Sequence, residues 1–521
     1  MSMSRKKVLW VDDEIEYLRS HIMFLETRGY SVIPVFNGDD AIHIISEKPE
    51  EFDIVLLDEQ MPGKGGLDTL VELKEIAPEL PVVMVTKSEE EQVMETAMGL
   101  NIDGYLTKPV NPSQILQVCK QILHSSEIMS SQLKQDFVRS FSAIRQSLQN
   151  RMDAEEWVAI YKNLTKWDIE LETTKDEGIR QAHAGQKSDA DMLFSDFIIA
   201  NYMLWMRGDR KPPLFSPKVI DKYIIPPIEA GEQVYFIVLD SMRLDQYLIL
   251  QPFLRRYFAI ENHSFYSILP STPEFARNAL LSGLYPIDIA KEHPKIWQEI
   301  LKDLSNGNTK EAQLLKKKMS SAGLAAGDVE YVRLHDEKSA KSAIKSIEKY
   351  SDKKLVTIVV DFVDMFIREQ ATTMILRDIA PDEAAFRKLT RSWFEFSKVF
   401  ELFRDLARKD CTLVFTSSSG SNLCTRGAEF HWDMDTMKSF RYKYGENISC
   451  DERYAFYMHE PERFNLPQKS ADTSCIVLRE NYYFVNRSTY KEYNEQYQNT
   501  FQRGGISMKE MIVPLAVMKP K

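Results

Sequence analysis

Residues 55–63 read VLLDEQMPG, and this stretch decides the fold class of the first part of the chain. An apolar run over residues 54–57 is typical of a buried parallel strand, and it ends at Asp58 before a loop that contains proline and glycine. In an open α/β sheet, ligands bind beyond the carboxyl ends of the strands. The pattern therefore predicts that Asp58 lies at a binding site.

Three further apolar runs in the first 110 residues end in polar side chains of complementary chemistry. One run ends at the acidic pair Asp12 and Asp13, a second ends at Thr86, and the third leads from Tyr105 to Lys108. Neighbouring carboxylates form a hard-oxygen site that suits Mg²⁺. A threonine hydroxyl can donate a hydrogen bond to a phosphoryl oxygen, and a lysine can neutralise its charge.

With these motifs, residues 1–124 resemble the receiver domain of response regulators, which has a flavodoxin-like, doubly wound parallel sheet. The resemblance implies that a sensor histidine kinase phosphorylates Asp58 and that phosphorylation promotes a homodimer. It also implies a magnesium site formed by Asp12, Asp13, Asp58 and the Gln60 carbonyl. Thr86, Tyr105 and Lys108 would form the switch that responds to phosphorylation.

Composition restricts the cellular setting and the classes of partner. The 521 residues suggest about three domains, and 44% hydrophobic with 27% charged residues is ordinary for a soluble protein. The net charge of −11 argues against generic binding to DNA or anionic membranes. The five cysteines have no spacing typical of a zinc knuckle or disulfide framework. No signal peptide or membrane span is apparent, so we expect a cytoplasmic protein.

Hydrophobic periodicity divides the chain into the receiver, a three-helix bundle over residues 125–210 and an α/β domain over residues 211–521. In the receiver we expect five helices, over residues 15–28, 39–46, 66–76, 90–98 and 112–123. In the bundle, a stripe of apolar residues runs from Phe137 to Leu148, a capping box begins at Asp153, and a third helix follows the polar residues 182–191.

The α/β domain begins after two proline pairs, and its apolar runs predict strands over residues 234–239, 355–360 and 413–416. Residues 308–348 are rich in Lys, Glu and Ala and predict surface helices. Thr272 precedes Pro273 where a helix should begin. It is either an ordinary N-cap or a hydroxyl nucleophile at a positive helix end.

The last domain resembles the PglZ branch of the alkaline phosphatase superfamily. The resemblance is carried by four short motifs, which are VLDSMR at 238–243, STPE at 271–274, FVDM at 362–365 and FQRGGIS at 501–507. Receiver, helical bundle and PglZ domain in this order resemble the PorX family of Bacteroidota, whose members govern type IX secretion and gliding. This implies an extracytoplasmic-function sigma factor or a secretion-system component as the output partner.

The resemblance also implies which residues would bind two zinc ions in an active member. Asp240, Thr272 and Asp364 match the expected ligands. The other four positions depart from the pattern and are occupied by Arg368, Ser418, Ser419 and Arg503. A guanidinium has no lone pair to give to a metal, so we expect zinc to be absent. We expect Arg368 and Arg503 to pair with Asp364 and Asp240 instead, since an unpaired buried carboxylate is destabilising.

Three functions remain open from the sequence. In the first, a degenerate pseudo-phosphodiesterase domain acts by binding a protein partner. In the second, it is an active zinc phosphodiesterase or phosphatase for nucleotides or oligonucleotides, with Thr272 as nucleophile and a metal site rebuilt with His263 or His431. In the third, Arg368 and Arg503 bind a nucleotide phosphate that is not hydrolysed. Direct DNA binding is not expected.

Overall fold

A computed structural model describes residues 5–87, 102–174, 176–302, 310–371, 373–431, 439–486, 494 and 496–521. The predicted helix over residues 90–98 lies outside this set. Residue contacts divide the chain into two compact units, Met1–Arg139 and Ser140–Lys521. None of the helices in the described ranges is both long enough and apolar enough to cross a membrane.

The first unit contains a parallel sheet of five strands in the order β2-β1-β3-β4-β5. These strands are β1 (Lys6–Val11), β2 (Tyr30–Val35), β3 (Ile54–Asp58), β4 (Val82–Thr86) and β5 (Gly104–Thr107). Every residue of β3 and β4 is buried, as continuous apolar runs predict for strands covered on both faces. One apolar cluster lies on each face of the sheet, so the doubly wound fold is confirmed.

The described helices of this unit are α1 (Arg19–Glu26), α2 (Gly38–Glu47), α3 (Gly66–Ile76) and α4 (Pro112–Leu148). A short 3₁₀ turn, Ile15–Leu18, precedes α1. The prediction that the last helix ends at residue 123 is wrong, because α4 continues to Leu148 and is 37 residues long in total. No glycine or further proline interrupts it after Pro112, and the division between the two units falls inside this helix.

Two more long helices follow, α5 (Ala154–Glu170) and α6 (Glu177–Arg207). The predicted capping box is confirmed, because the Asp153 carboxylate accepts from the N–H of Glu156 at 2.9 Å and the Glu156 carboxylate accepts from the N–H of Asp153 at 2.8 Å. The third helix begins earlier than predicted. The polar residues 182–191 lie inside α6, where His183, Gln186 and Asp191 are buried.

The second unit is built on a mixed sheet of six strands in the order β7-β19-β10-β6-β9-β8. Numbered along the chain, the strands of this unit are β6 (Val234–Leu239), β7 (Phe258–Tyr266), β8 (Val329–Leu334), β9 (Leu355–Val360), β10 (Thr412–Thr416), β11 (Asn422–Cys424), β12 (Arg426–His431), β13 (Tyr442–Glu446), β14 (Ser449–Cys450), β15 (Ala455–Met458), β16 (Thr473–Leu478), β17 (Tyr482–Asn486), β18 (Thr500–Gln502) and β19 (Ile512–Pro520). Strands β10, β6, β9 and β8 are parallel, and β19 is antiparallel to both of its neighbours.

Strand β8 corrects the prediction that residues 308–348 form only surface helices, because it pairs with β9 at the edge of the sheet. The shorter helices of the unit are α7 (Ile225–Glu229), α8 (Leu244–Arg255), α9 (Asn278–Ser282), α10 (Pro286–Glu292), α11 (Pro294–Lys302), α12 (Glu311–Ser321), α13 (Glu337–Ser346), α14 (Phe362–Gln370), α15 (Met374–Ile379), α16 (Glu383–Phe396), α17 (Lys398–Leu406) and α18 (Met508–Met511).

The helical bundle and the six-stranded sheet share one apolar core rather than forming two. Trp157 and Phe194 of the bundle belong to the same buried cluster as Tyr266 of β7. The Tyr266 hydroxyl donates to the Ala154 carbonyl at 2.8 Å, at the start of α5. Residues 140–521 therefore form one compact unit, and the division at residue 210 between a bundle and an α/β domain stays a prediction.

Candidate functional sites

The carboxyl edge of the five-stranded sheet gathers three carboxylates. Asp12 follows β1 and is fully buried, Asp58 ends β3 and is 2% exposed, and Asp13 is exposed. One oxygen from each lies within 4.8 Å of the others, the only such cluster of metal-binding side chains found within the described ranges. Adjacent parallel strands bring these residues together, since β1 lies next to β3.

Lys108 lies between two of these carboxylates. Its Nζ is 2.8 Å from Asp12 Oδ2 and 2.8 Å from Asp58 Oδ2. Burial raises the pKa of Asp58, although the hydrogen bond and charge of Lys108 oppose the rise. Burial opposes the charged form of Lys108, but its bonds to Asp12 and Asp58 outweigh this effect and raise the pKa of Lys108. Asp58 Oδ1 is buried and has no hydrogen-bond partner in the described part of the chain.

The predicted switch residues border the same site. Thr86 ends β4 and is fully buried, and its hydroxyl donates to the carboxylate of Glu59. Tyr105 is half-buried on the next strand, β5. The loop after Asp58 turns sharply into α3, because a Cβ on Gly66 would lie 2.3 Å from the Asp58 carbonyl oxygen. Sequence reasoning missed Glu59, whose partner lies on a neighbouring strand.

The donor set at this edge fits Mg²⁺. Asp12, Asp13 and Asp58 offer only carboxylate oxygens, which are hard ligands, and the bare Asp58 Oδ1 leaves one oxygen available. The assignment of the Gln60 carbonyl as a fourth ligand stays a prediction; Gln60 lies two residues after Asp58 on the exposed part of the loop.

In the second unit, the carboxyl ends of β10, β6 and β9 gather the residues expected at a PglZ centre. Asp240 follows β6 and is fully buried, and Asp364 lies in the first turn of α14, just beyond β9. Ser418 and Ser419 follow β10 and are also fully buried. The Ser418 hydroxyl donates to Asp240, which supports the alignment of the serine-rich turn with this site.

Both substituting arginines contact Asp364. Arg503 forms an ion pair with Asp364 Oδ1, and Arg368 Nε lies 3.2 Å from Asp364 Oδ2. The Ser241 hydroxyl donates to the same carboxylate at 3.2 Å. The predicted pairing is therefore confirmed for Asp364, but the expectation that one of these arginines would pair with Asp240 is wrong.

The cation beside Asp240 is Arg277, which the sequence analysis did not identify. Its Nη1 lies 2.7 Å from Asp240 Oδ2, and its Nε lies 2.5 Å from Glu311 Oε2. Arg277 is 1% exposed, and Asp361 after β9 adds a third carboxylate at 3.8 Å. Burial opposes the charged form of Arg277, but Glu311 and Asp240 outweigh it and raise the pKa of Arg277. Burial raises the pKa of Glu311.

The role of Arg277 could not be predicted from the sequence, because the carboxylates that it contacts come from distant parts of the chain. Glu311 opens α12, 34 residues later, and lies within a segment predicted to be on the surface. Glu311 is nevertheless 1% exposed, and it also accepts a hydrogen bond from Tyr331 of the unexpected strand β8. Arg333 of the same strand contacts Asp361 at 2.6 Å. Only the sheet order brings these groups together.

Thr272 does not behave as an ordinary N-cap. A π-helical turn, Pro273–Arg277, begins directly after it and continues into α9, as the Thr-Pro pattern predicts. The Thr272 side chain makes no capping hydrogen bond, and the residue is 2% exposed. The serine-rich turn after β10 packs closely against the backbone of Lys509, because a Cβ on Gly420 would lie 1.8 Å from the Lys509 carbonyl oxygen.

The residues of this centre do not fit a zinc site. Among the described residues, no group of three or more His, Cys, Asp or Glu side chains converges here. His263 lies on β7, at the edge of the six-stranded sheet, and its Nε2 is 3.0 Å from Glu261 Oε1 on the same strand. The side chain of His431 lies outside the described part of the structure. The carboxylates that remain are matched by guanidinium groups, which cannot coordinate a metal.

A second buried ion network lies next to this centre. Arg243 forms a bidentate pair with Asp245, with both N–O distances at 2.8 Å, and Arg387 of α16 adds a contact to Asp245 at 2.9 Å. Burial raises the pKa of Asp245, but the two arginines outweigh it and hold that pKa at about 2. Arg387 also pairs with Glu172, which follows α5, so the network joins the bundle to the sheet.

Three family models match successive parts of the chain. A response regulator receiver domain matches residues 8–120, a PorX response regulator linker domain matches residues 127–206, and a BREX system PglZ alkaline phosphatase-like domain matches residues 219–518. The last of these covers more than half of the 521 residues. The order agrees with that predicted from the motifs.

Matches to individual proteins cover the first unit. The chain is 34% identical over 134 residues to the alkaline phosphatase synthesis transcriptional regulatory protein PhoP of Bacillus subtilis. The match covers 25% of this chain and 55% of that protein. It is 32% identical over 130 residues to the transcriptional regulatory protein CpxR of Escherichia coli K12, covering 25% and 54%. The chain thus spans about half the length of these curated relatives.

Solved structures match the same region. A CheY-like receiver domain protein from Methanospirillum hungatei is 28% identical, with 24% of this chain and 99% of that chain covered and a TM-score of 0.23.

Proposed function

We propose that this chain is a phosphorylation-controlled regulator whose output domain binds a partner instead of hydrolysing a phosphodiester. The chain belongs to the family of PglZ alkaline phosphatase-like domains, and its domains follow the order of a PorX-like response regulator. The observation that carries this proposal is the contrast between the two carboxylate clusters. In the receiver cluster, Asp58 Oδ1 has no hydrogen-bond partner among the described residues, whereas carboxylates of the PglZ centre are paired with arginines.

At the receiver, Asp58 Oδ1 attacks the phosphorus of a phosphohistidine donor. The P–N bond of the donor breaks, its electron pair leaves with the imidazole, and the imidazole takes a proton from solvent. Lys108 neutralises an oxygen of the transferred group, since it already lies 2.8 Å from the other Asp58 oxygen. A Mg²⁺ ion held by Asp12, Asp13 and Asp58 would supply further charge neutralisation. The Thr86 hydroxyl would then donate a hydrogen bond to an oxygen of the phosphoryl group.

The output domain of this proposal is a pseudo-phosphodiesterase. Without zinc, nothing activates the Thr272 hydroxyl or stabilises charge in the transition state. The nucleotide-sensing alternative is disfavoured, because four guanidinium groups at the centre already face five carboxylates. These groups are Arg277, Arg333, Arg368 and Arg503 on one side and Asp240, Glu274, Glu311, Asp361 and Asp364 on the other.

The partners of this proposal are those that the resemblance to PorX-like regulators implies. A sensor histidine kinase would supply the phosphoryl group, and a phosphorylation-dependent homodimer would carry the signal onward. The output partner would be a sigma factor or a component of the type IX secretion system. The long helix α4 supports a relay, since it begins in the receiver and continues into the bundle that shares its core with the PglZ domain.

Zinc content of the purified, metal-replete chain tests the output proposal. We expect near zero zinc per chain by elemental analysis. A matched variant with R368H, S418D, S419H and R503H restores the four missing ligand types, and its zinc content should rise if the alignment of the centre is right. Stoichiometric zinc in the unaltered protein would overturn the pseudoenzyme proposal and make hydrolysis by Thr272 the output to assay.

Intact-mass spectrometry after incubation with acetyl phosphate and Mg²⁺ tests the receiver proposal separately. One added phosphoryl group that is labile to hydroxylamine and requires Mg²⁺ is the expected result. No mass increase under these conditions would contradict the assignment of Asp58, whatever the zinc content of the other domain.

A further inference from the structure

Glu59 and Thr86 are joined by a side-chain hydrogen bond at the edge of the phosphorylation site. Thr86 Oγ1 donates to Glu59 Oε2. The backbone holds the two residues in place, because the Glu59 N–H donates to the carbonyl of Val85 at 3.1 Å. Glu59 directly follows the phosphoacceptor and is half-buried, whereas Thr86 is fully buried. The bond therefore ties the residue beside Asp58 to the hydroxyl proposed to recognise its phosphoryl group.

This bond competes with phosphoryl recognition. A threonine hydroxyl has one proton to donate, and here that proton is directed to a carboxylate. Hydrogen bonds to charged acceptors are about twice as strong as neutral ones, so the arrangement is stable while Asp58 is unmodified. Thr86 can donate to a phosphoryl oxygen only after it has released Glu59.

Charge acts in the same direction. The phosphoryl group carries a charge of about −1.5 to −2, and because Asp58 loses its own negative charge in the new bond, the net gain beside Asp12 and Asp13 is about −1. Lys108 is the cation that contacts Asp12 and Asp58. The Glu59 carboxylate adds another negative charge next to the modified residue. When Thr86 turns away from Glu59, this carboxylate also loses the hydrogen bond that it had accepted.

We propose that Glu59 is a positioning residue that holds Thr86 in its unphosphorylated arrangement and so sets the threshold at which the receiver responds. Phosphorylation of Asp58 must break the Glu59–Thr86 bond before Thr86 can stabilise the phosphoryl group. The inference rests on the proposed function of the receiver, and it adds a residue whose effect acts through Thr86 and needs no contact with the phosphoryl group.

The full-length chain with Mg²⁺ and beryllofluoride, a stable mimic of the phosphoryl group, provides the test. Fluorine NMR gives the bound fraction and hence the apparent Kd for beryllofluoride. We expect Glu59→Ala to bind about tenfold more tightly than the unaltered chain, since one charge-assisted bond no longer competes. Glu59→Gln keeps an acceptor but loses the charge, and its affinity should lie between the two.

A double-mutant cycle separates positioning from simple repulsion. In the Thr86→Ala background no hydroxyl can be held, so Glu59→Ala should change the affinity by less than about twofold. Glu16→Gln removes one exposed negative charge from the segment that follows Asp12 and Asp13, and it controls for the change in net charge. Lifetimes of the phosphorylated chain, followed by intact mass, should lengthen for Glu59→Ala in parallel with its affinity.

The outcomes distinguish this inference from the function on which it rests. Equal affinities for the unaltered chain, Glu59→Ala and Glu59→Gln would overturn the role of Glu59, as would an undiminished effect of Glu59→Ala in the Thr86→Ala background. If the unaltered chain binds no beryllofluoride and takes no phosphoryl group from acetyl phosphate, the proposed receiver function itself fails and the inference falls with it.

Discussion

The receiver edge and the PglZ centre both place buried carboxylates at the carboxyl ends of parallel strands, but they balance the charge differently. At the receiver, Lys108 contacts one oxygen each of Asp12 and Asp58, and Asp58 Oδ1 has no hydrogen-bond partner in the part of the chain that the structure describes. At the PglZ centre, Arg277 contacts Asp240, and Arg503 and Arg368 both contact Asp364. The first site thus leaves one buried carboxylate oxygen without a partner among the described residues, and the second has its acids paired with arginines.

This difference shows that position at the end of a strand does not by itself make a reactive carboxylate. Burial raises the pKa of Asp58, although the hydrogen bond and charge of Lys108 partly oppose the rise, and a shifted pKa is typical of a reactive group. Asp240 is also fully buried, and the guanidinium of Arg277 lies 2.7 Å from its Oδ2 while the Ser418 hydroxyl donates to its Oδ1. The two carboxylates therefore differ at their second oxygen, because Asp240 Oδ1 accepts a hydrogen bond from Ser418, whereas Asp58 Oδ1 has no hydrogen-bond partner among the described residues.

The largest effect is expected from removing the reactive oxygen. Asp58→Asn should abolish phosphorylation by acetyl phosphate, a loss of more than about a hundredfold, because an amide does not attack phosphorus under these conditions. The matched control is Asp240→Asn, which should leave the rate of phosphorylation unchanged, and intact mass measures both. Phosphorylation of the Asp58→Asn chain would show that another residue is the acceptor.

The next effect concerns stability of the PglZ centre. Arg277→Met leaves Asp240 and Glu311 buried without their main cation and should destabilise the second unit by about 3–5 kcal/mol. Urea unfolding followed by tryptophan fluorescence reports this unit, because six of the seven tryptophans follow residue 139. The triple variant R277M, D240N and E311Q should recover most of the loss. A triple variant as unstable as R277M would mean that packing, not charge, explains the effect.

A smaller, pH-dependent effect is expected at Asp245. Its pKa is held at about 2, below the ordinary value of 3.8, so its ion pairs stabilise the fold above pH 4 and this contribution is lost as the pH falls from about 4 to about 2. The difference in unfolding free energy between the unaltered chain and Asp245→Asn should therefore shrink by about 2 kcal/mol over that interval. A difference that does not change with pH would contradict the pairing with Arg243 and Arg387.

The smallest effect is expected at Arg368. Its side chain is 36% exposed, and Arg503 also neutralises Asp364, so Arg368→Ala should lower the unfolding free energy by less than about 1 kcal/mol. Urea unfolding measured beside Arg277→Met checks the ranking of the two arginines. A loss as large as that of Arg277→Met would show that Arg368 is the dominant cation of the centre.

Several features could be predicted from the sequence because local patterns determine them. Continuous apolar runs gave the strands β3, β4, β6 and β9, and the Asp153 capping box marked the start of α5. Errors arose where a local signal was misleading. Polar residues 182–191 suggested a segment before the third helix, but they lie inside α6, where several of them are buried. The charged segment 308–348 contains the edge strand β8, which its composition did not predict.

The sequence by itself determined the receiver residues Asp12, Asp58, Thr86 and Lys108, because each one ends or follows an apolar strand and parallel strands align their carboxyl ends. Through the family resemblance, it also identified four positions of the PglZ centre that depart from the expected pattern of zinc ligands. Only the tertiary structure decided that Arg277 pairs with Asp240 and Glu311, and that Glu59 accepts from Thr86. These contacts join residues 27 to 37 positions apart on different elements, and their distances depend on sheet order and burial, which no local pattern encodes.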